Sequence, residues 1–147
     1  MLSAALAAHL AALGLARWAG TGPADAPPVC VEELPDTPDA VIGVITRPGL
    51  PPDPVGGWAW PEVQVIVRHP GDTTGRARPG LTLARRILAA LHGTTRLTWA
   101  AGTPDEVWVL TCTAQSSEPV ALGPDVAGRR RWSVTYELEI QATGSPG

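Results

Sequence analysis

With 147 residues, 44% of them hydrophobic, the chain is the size of one ordinary domain and can bury a real core. A formal net charge of −3 excludes the broad basic field that binding to nucleic acid or an anionic membrane demands. Lys, Asn and Phe are all missing, so every one of the 11 positive side chains is Arg, and an arginine run carries less meaning than it would in a lysine-bearing chain. The three absent residues use AT-rich codons, which points to a GC-rich source.

The N-terminal segment "MLSAALAAHLAALGLARW" reads as a first helix over residues 2–17. Leu2, Leu6, Leu10 and Leu13 form its apolar stripe, and alanines opposite allow close packing on the other side. It has no positive charge before its apolar run, His9 interrupts it, and it is too short to span a bilayer; a soluble, intracellular product is expected. "GTGPADAPP" then breaks the helix. Strands follow at Val29–Leu34 and Ala40–Thr46, with "PDTPD" as the turn between them. "RPGLPPDPVGGWAWP", Arg47 to Pro61, holds too many prolines for a central strand or a helix and reads as a long loop. Connections of that length are often functional. Alternation returns at Glu62–His69.

A second helix starts at Pro79 and stops at Gly93, with Leu81, Leu83, Ala84, Ile87, Leu88 and Leu91 on its apolar side. Strands at Thr95–Trp99 and Val107–Gln115 come next. A second irregular loop, "SSEPVALGPDVAG", leads into the most regular pattern of the chain. From Trp132 onward, Trp132, Val134, Tyr136, Leu138 and Ile140 share one face, and Ser133, Thr135, Glu137, Glu139 and Gln141 share the other. The order α-β-β-β-α-β-β-β defines an α+β domain: a mainly antiparallel sheet with two helices packed on one face. One domain over 1–141 and a flexible tail over 142–147 are expected.

A search for chemistry finds little. Without lysine there is no P-loop, and neither a nucleophile elbow, a paired-cysteine zinc spacing nor an H-E-x-x-H occurs. No catalytic, metal or cofactor residue is assigned. His69 and Asp72 suggest an acid–base pair, but "HPGD" is better read as a polar turn after a strand. Glu137 and Glu139 share a strand face and read as solubilising. Cys30 and Cys112 read as free thiols, or as one disulfide if their strands are neighbours.

Two places remain as interface candidates. Trp58 and Trp60 sit in the Pro/Gly loop, where they either anchor a partner or fold back over the sheet. Arg129, Arg130 and Arg131 stand together at the start of the last strand, with Asp125 just before them. Their guanidinium forks suit carboxylates on a protein partner; a solvated corner is the alternative.

Several segments together resemble phage tail terminator proteins, often called minor capsid proteins. "VQVIVRHPGD" followed by "LARRILAALHG" is similar to the middle of that family. "ALGPDVAGRRRWSVTYELEI" resembles its loop and closing aromatic strand. The Leu/Ala helix and "VIGVITRPG" agree in position, so the likeness runs over about residues 2–141. The resemblance implies a structural subunit, not an enzyme, that needs no cofactor. It implies a ring of six copies at the end of the tail tube, which stops tube growth and offers a surface for the head. Its partners are then other copies, the tail tube protein and a head–tail connector, with neither membrane nor sequence-specific nucleic acid. Its place is the virion tail at the head–tail junction, after assembly in the host cytoplasm, and an actinobacterial phage fits the GC-rich source. The alternatives are a head-completion or neck ring protein and, from another class, a small enzyme or ligand-binding domain.

Overall fold

The computed structural model describes residues 1–72 and 78–142. In chain order the elements are α1 (Leu2–Ala12), β1 (Val29–Val31), β2 (Val41–Leu50), β3 (Trp58–His69), α2 (Pro79–Leu91), β4 (Thr94–Trp99), β5 (Val107–Ala114), β6 (Val120–Pro124) and β7 (Arg130–Ala142). The strands form one sheet ordered β1-β2-β3-β7-β5-β4, with β6 paired to the early part of β7. The β1–β2 pair is parallel and the other pairs are antiparallel. This is the expected α+β order, enriched by one strand: β6 forms inside the segment expected to be irregular. Residues 143–147 of the expected tail lie outside the described residues.

The period-2 pattern of β7 becomes the centre of the core. Trp132, Val134, Tyr136, Leu138 and Ile140 are all buried. Across the β3 register, Val67, Val65 and Val63 stand opposite Trp132, Val134 and Tyr136. On the other side Cys112 and Val109 of β5 meet Leu138 and Ile140. β-branched and aromatic residues suit such a pleated, half-buried surface. Ala84, Ile87 and Leu91 of α2 close over it at helical spacing.

Helix α1 is shorter than expected. Gly14 takes a left-handed φ of 78°, its N–H bonds to Ala11 O, and Leu15 N–H bonds to Leu10 O. This Schellman closure stops the helix, so Arg17 leaves the last turn and bridges to Pro28 instead. α1 packs against β1 and β2 on one side and β4 on the other, so the sheet curls around it. Leu6 and Leu10 are fully buried, each contributing about 1.5–3 kcal/mol. Ala4, Ala5, Ala7 and Ala11 are buried too, because only small side chains let both ends of the sheet approach. His9 stacks on Trp99 of β4 with ring centroids 5.3 Å apart. Burial lowers the His9 pKa below its ordinary value.

The largest departure is the segment Arg47–Pro61. It is not a long loop: β2 runs on to Leu50 and β3 begins at Trp58, leaving a tip of seven residues, 51–57. The prolines are tolerated because the β2–β3 register shifts between Arg47 and Leu50, beside Pro48 and opposite Pro61. Gly49 is required there, since a side chain would collide with the Trp60 carbonyl. Trp58 and Trp60 are therefore strand residues, with Trp58 opposite Gln141 of β7.

Cys30 and Cys112 are free thiols, with β2, β3 and β7 lying between their strands. Burial pushes the Cys112 thiol up to about 12.

Candidate assembly surfaces

The arginine corner is a tight hairpin between β6 and β7. Asp125 N–H bonds to Arg129 O, and Gly128, at φ 80°, donates to Asp125 O. The Asp125 side chain accepts the N–H groups of Ala127 and Arg129 at 3.0 and 2.9 Å. Asp and Gly in "GPDVAGR" thus build an Asx-type turn. Burial pushes the Asp125 carboxyl up, but these bonds and the Arg129 guanidinium outweigh it and hold the group below the usual carboxylate range.

The three arginines of the corner behave differently. The Arg129 side chain is only 9% exposed and turns inward. It donates to Asp125 Oδ2 at 2.9 Å, Asp36 Oδ1 at 2.7 Å, Asp39 Oδ1 at 3.0 Å and Asp36 O at 2.6 Å. The side-chain bonds to Asp36 and Asp125 raise its pKa further. Arg68, also buried, donates to the carbonyls of Asp36, Pro38 and Asp39. Two buried guanidinium groups therefore clamp the turn Asp36–Asp39 onto the sheet. Arg130 and Arg131 are half-buried, and Arg131 reaches the carbonyls of Leu122 and Gly123 only loosely, at 3.4 Å. The carboxylates that suit Arg129 lie in its own subunit.

A residue read as part of a polar turn proves to be structural. Asp72 is 2% exposed. Its Oδ1 accepts Gly80 N–H at 2.6 Å, and its Oδ2 accepts Leu81 N–H at 2.9 Å and the Trp132 indole N–H at 2.7 Å. Gly80 and Leu81 are the second and third residues of α2, whose own N-cap, Arg78, makes no side-chain cap. Asp72 thus caps the helix from eight and nine residues away and ties it to β7. His69 takes no part; its Nδ1 accepts Gly71 N–H at 2.9 Å.

The face of the sheet opposite the helices carries Trp60, Glu62 and Gln64 of β3, Thr111 and Thr113 of β5, and Glu137 and Glu139 of β7. With Leu50 on its rim, part of this face forms an open cleft of about 480 Å³. Gln115 bridges two of its carboxylates, donating to Glu62 Oε1 at 2.6 Å and Glu137 Oε1 at 3.5 Å. Trp58 lies against Trp108 of β5 on the same face, centroids 5.6 Å apart. Both tryptophans named as candidates are half-buried on this face.

The two hairpin tips point to opposite ends of the molecule. The register sets Trp58 opposite Gln141 and His69 opposite Arg130, so the 51–57 tip lies at the end of β7 and the 125–128 tip at its start. At about 3.3 Å per residue they are separated by about 40 Å. Each tip carries an exposed valine, Val55 at 86% and Val126 fully exposed. Among the described residues no group of three or more His, Cys, Asp or Glu is placed to hold a metal ion, and no helix is long and apolar enough to cross a membrane.

The chain matches the family model described as bacteriophage tail terminator protein over residues 9–142, from the middle of α1 to the last residue of β7. Its class is thus a structural component of the phage virion tail. The chain belongs to the bacteriophage tail terminator family. No curated protein and no solved structure matches it.

Proposed function

We propose that this subunit caps the finished tail tube as a ring of six copies, stops tube elongation and presents the surface to which the head joins. Beyond family membership, the observation that carries this reading is the separation of two tips on one rigid sheet. A terminator has to meet two different structures, the tube on one side and the head–tail connector on the other. A strand as long as β7 holds one contact loop at each end without either deforming the other. In this reading Trp58 and Trp60 serve contacts near the 51–57 tip, and Arg130 and Arg131 serve them near the 125–128 tip. Asp125 and Arg129 set the shape of that second tip.

Deleting the gene in its phage tests the role. Electron microscopy of the lysate is expected to show tubes of irregular, often excessive length beside unattached filled heads. Tails of normal length with leaking heads would assign the protein to head completion, and unchanged morphology would remove it from assembly altogether.

A further inference from the structure

Two clefts on opposite sides of the sheet are lined by opposite charge. On the open sheet face, Glu62, Glu137 and Glu139 line one cleft, and none of them forms an ion pair among the described residues. The same face carries Arg47, which stands opposite Glu62 in the β2–β3 register and donates to Gln64 Oε1 at 3.1 Å, and, towards the start of β7, Arg131, which reaches the Leu122 and Gly123 carbonyls. On the helix side, Arg17 and Arg86 line a second open cleft, of about 570 Å³, with His69 and a single carboxylate, Asp25. Arg78 at the start of α2 is exposed as well. Arg17 donates to Ala26 O, whereas Arg86 makes no ion pair among the described residues.

We infer that the ring is built head to tail, with the acidic cleft on the sheet face of one copy seated on the arginine-bearing cleft beside α2 of the next. This rests on the ring reading above and specifies its subunit interface. A closed ring requires a heterologous contact, in which two different surfaces of the same chain meet. The charge distribution selects that arrangement. Joining two sheet faces would set Glu62, Glu137 and Glu139 against their own copies, and like charges brought together cost several kcal/mol. Sheet face against helix layer pairs carboxylate with guanidinium, which binds it in a planar fork. The acidic cleft also offers apolar area to exclude water around those pairs: Leu50 is 71% exposed on its rim and Trp60 lines it. The opposing cleft answers with Leu83 and Pro79 beside Arg86.

The absence of lysine gives this inference a specific test. In the variant Arg86→Lys, a zero-length carbodiimide couples the new amine only to a carboxylate in direct contact. Light and heavy-isotope subunits are mixed, allowed to cap purified tail tubes, and cross-linked. The expected product joins the Lys-bearing peptide of one isotope to the peptide carrying Glu62 or that carrying Glu137 and Glu139 of the other. Rings that give cross-links only to other carboxylates, only to the tube protein, or none at all overturn the interface while leaving the terminator role intact. If wild-type protein forms no six-copy assembly at tube ends by native mass spectrometry, the ring reading fails and the interface with it. A charge exchange supplies the second arm. Arg86→Glu alone, or Glu137→Arg with Glu139→Arg, is expected to lower capped ends at least tenfold with circular dichroism unchanged. The triple exchange is expected to recover most of them, and no recovery overturns the pairing.

Discussion

Replacing Asp72 by alanine removes one side chain and leaves three donors without their acceptor. The carboxylate holds Gly80 N–H, Leu81 N–H and Trp132 Nε1–H at 2.6, 2.9 and 2.7 Å, and Trp132 is only 7% exposed. Loss of a helix cap costs about 1 kcal/mol, and a donor left unpaired in the interior about 1–3 kcal/mol. Because the two backbone donors lie at a helix end, where some water can reach, the combined loss is expected at about 3–5 kcal/mol. That is a large share of the roughly 5–15 kcal/mol a domain commands. At about 2–4 °C per kcal/mol for a chain of this size, Tm should fall by about 10 °C. Urea unfolding followed by far-ultraviolet circular dichroism reads the change. A double-mutant cycle with Trp132→Phe isolates the indole bond and should give a coupling of about 1–2 kcal/mol. A destabilisation below about 0.5 kcal/mol, or zero coupling, would refute the assignment of Asp72 as the tie between α2 and β7. Asp72→Asn should fall between, since one carbonyl oxygen still accepts while the amide N–H groups face other donors.

Four further outcomes follow from other contacts of the fold. The Tyr136 hydroxyl is buried with no hydrogen-bond partner among the described residues, and burial raises its pKa, so Tyr136→Phe should stabilise the fold by about 1 kcal/mol; a Tm loss in thermal unfolding would mean that the hydroxyl is satisfied. Arg129→Ala should lower Tm and speed proteolysis at Asp36–Asp39, whereas Arg130→Ala should do neither, and equal Tm values for the two variants would contradict the inward clamp. Because the His9 pKa is lowered in the folded state, the unfolded chain takes up that proton first; this contribution is present above about pH 6.5 and is lost as pH falls through the folded-state value, so denaturant midpoints should decline between pH 7 and 5 less steeply in His9→Leu than in the wild type. The lowered pKa of Asp125 adds a second decline below about pH 4 by the same sign.

How much of this was legible beforehand depends on how far apart in sequence the deciding contacts lie. The alternation Trp132–Gln141, the proline and glycine that bracket α2, and the helix-then-strands order are local signals. They fix the α+β class because side-chain periodicity and chain-end geometry are properties of a few neighbouring residues. The family likeness rests on the same local segments, and the match over residues 9–142 agrees with it.

Non-local contacts decided the rest. Trp58 and Trp60 look like loop residues among prolines, yet pairing with β7 draws them into β3, since a partner strand supplies the hydrogen bonds that composition cannot announce. Val120–Pro124 becomes β6 for the same reason. Arg129 sits beside two neighbours of identical chemistry, and only the approach of Asp36 and Asp39, some 90 residues away, turns it inward. Asp72 shows no capping signature because the donors it satisfies lie eight, nine and 60 residues on. Local pattern determined the two helices, the regular strands and where their apolar faces lie. Tertiary packing determined which charges are consumed inside the subunit and which stay on its surface, because a charge is consumed only where the fold brings an opposite charge or a donor to it.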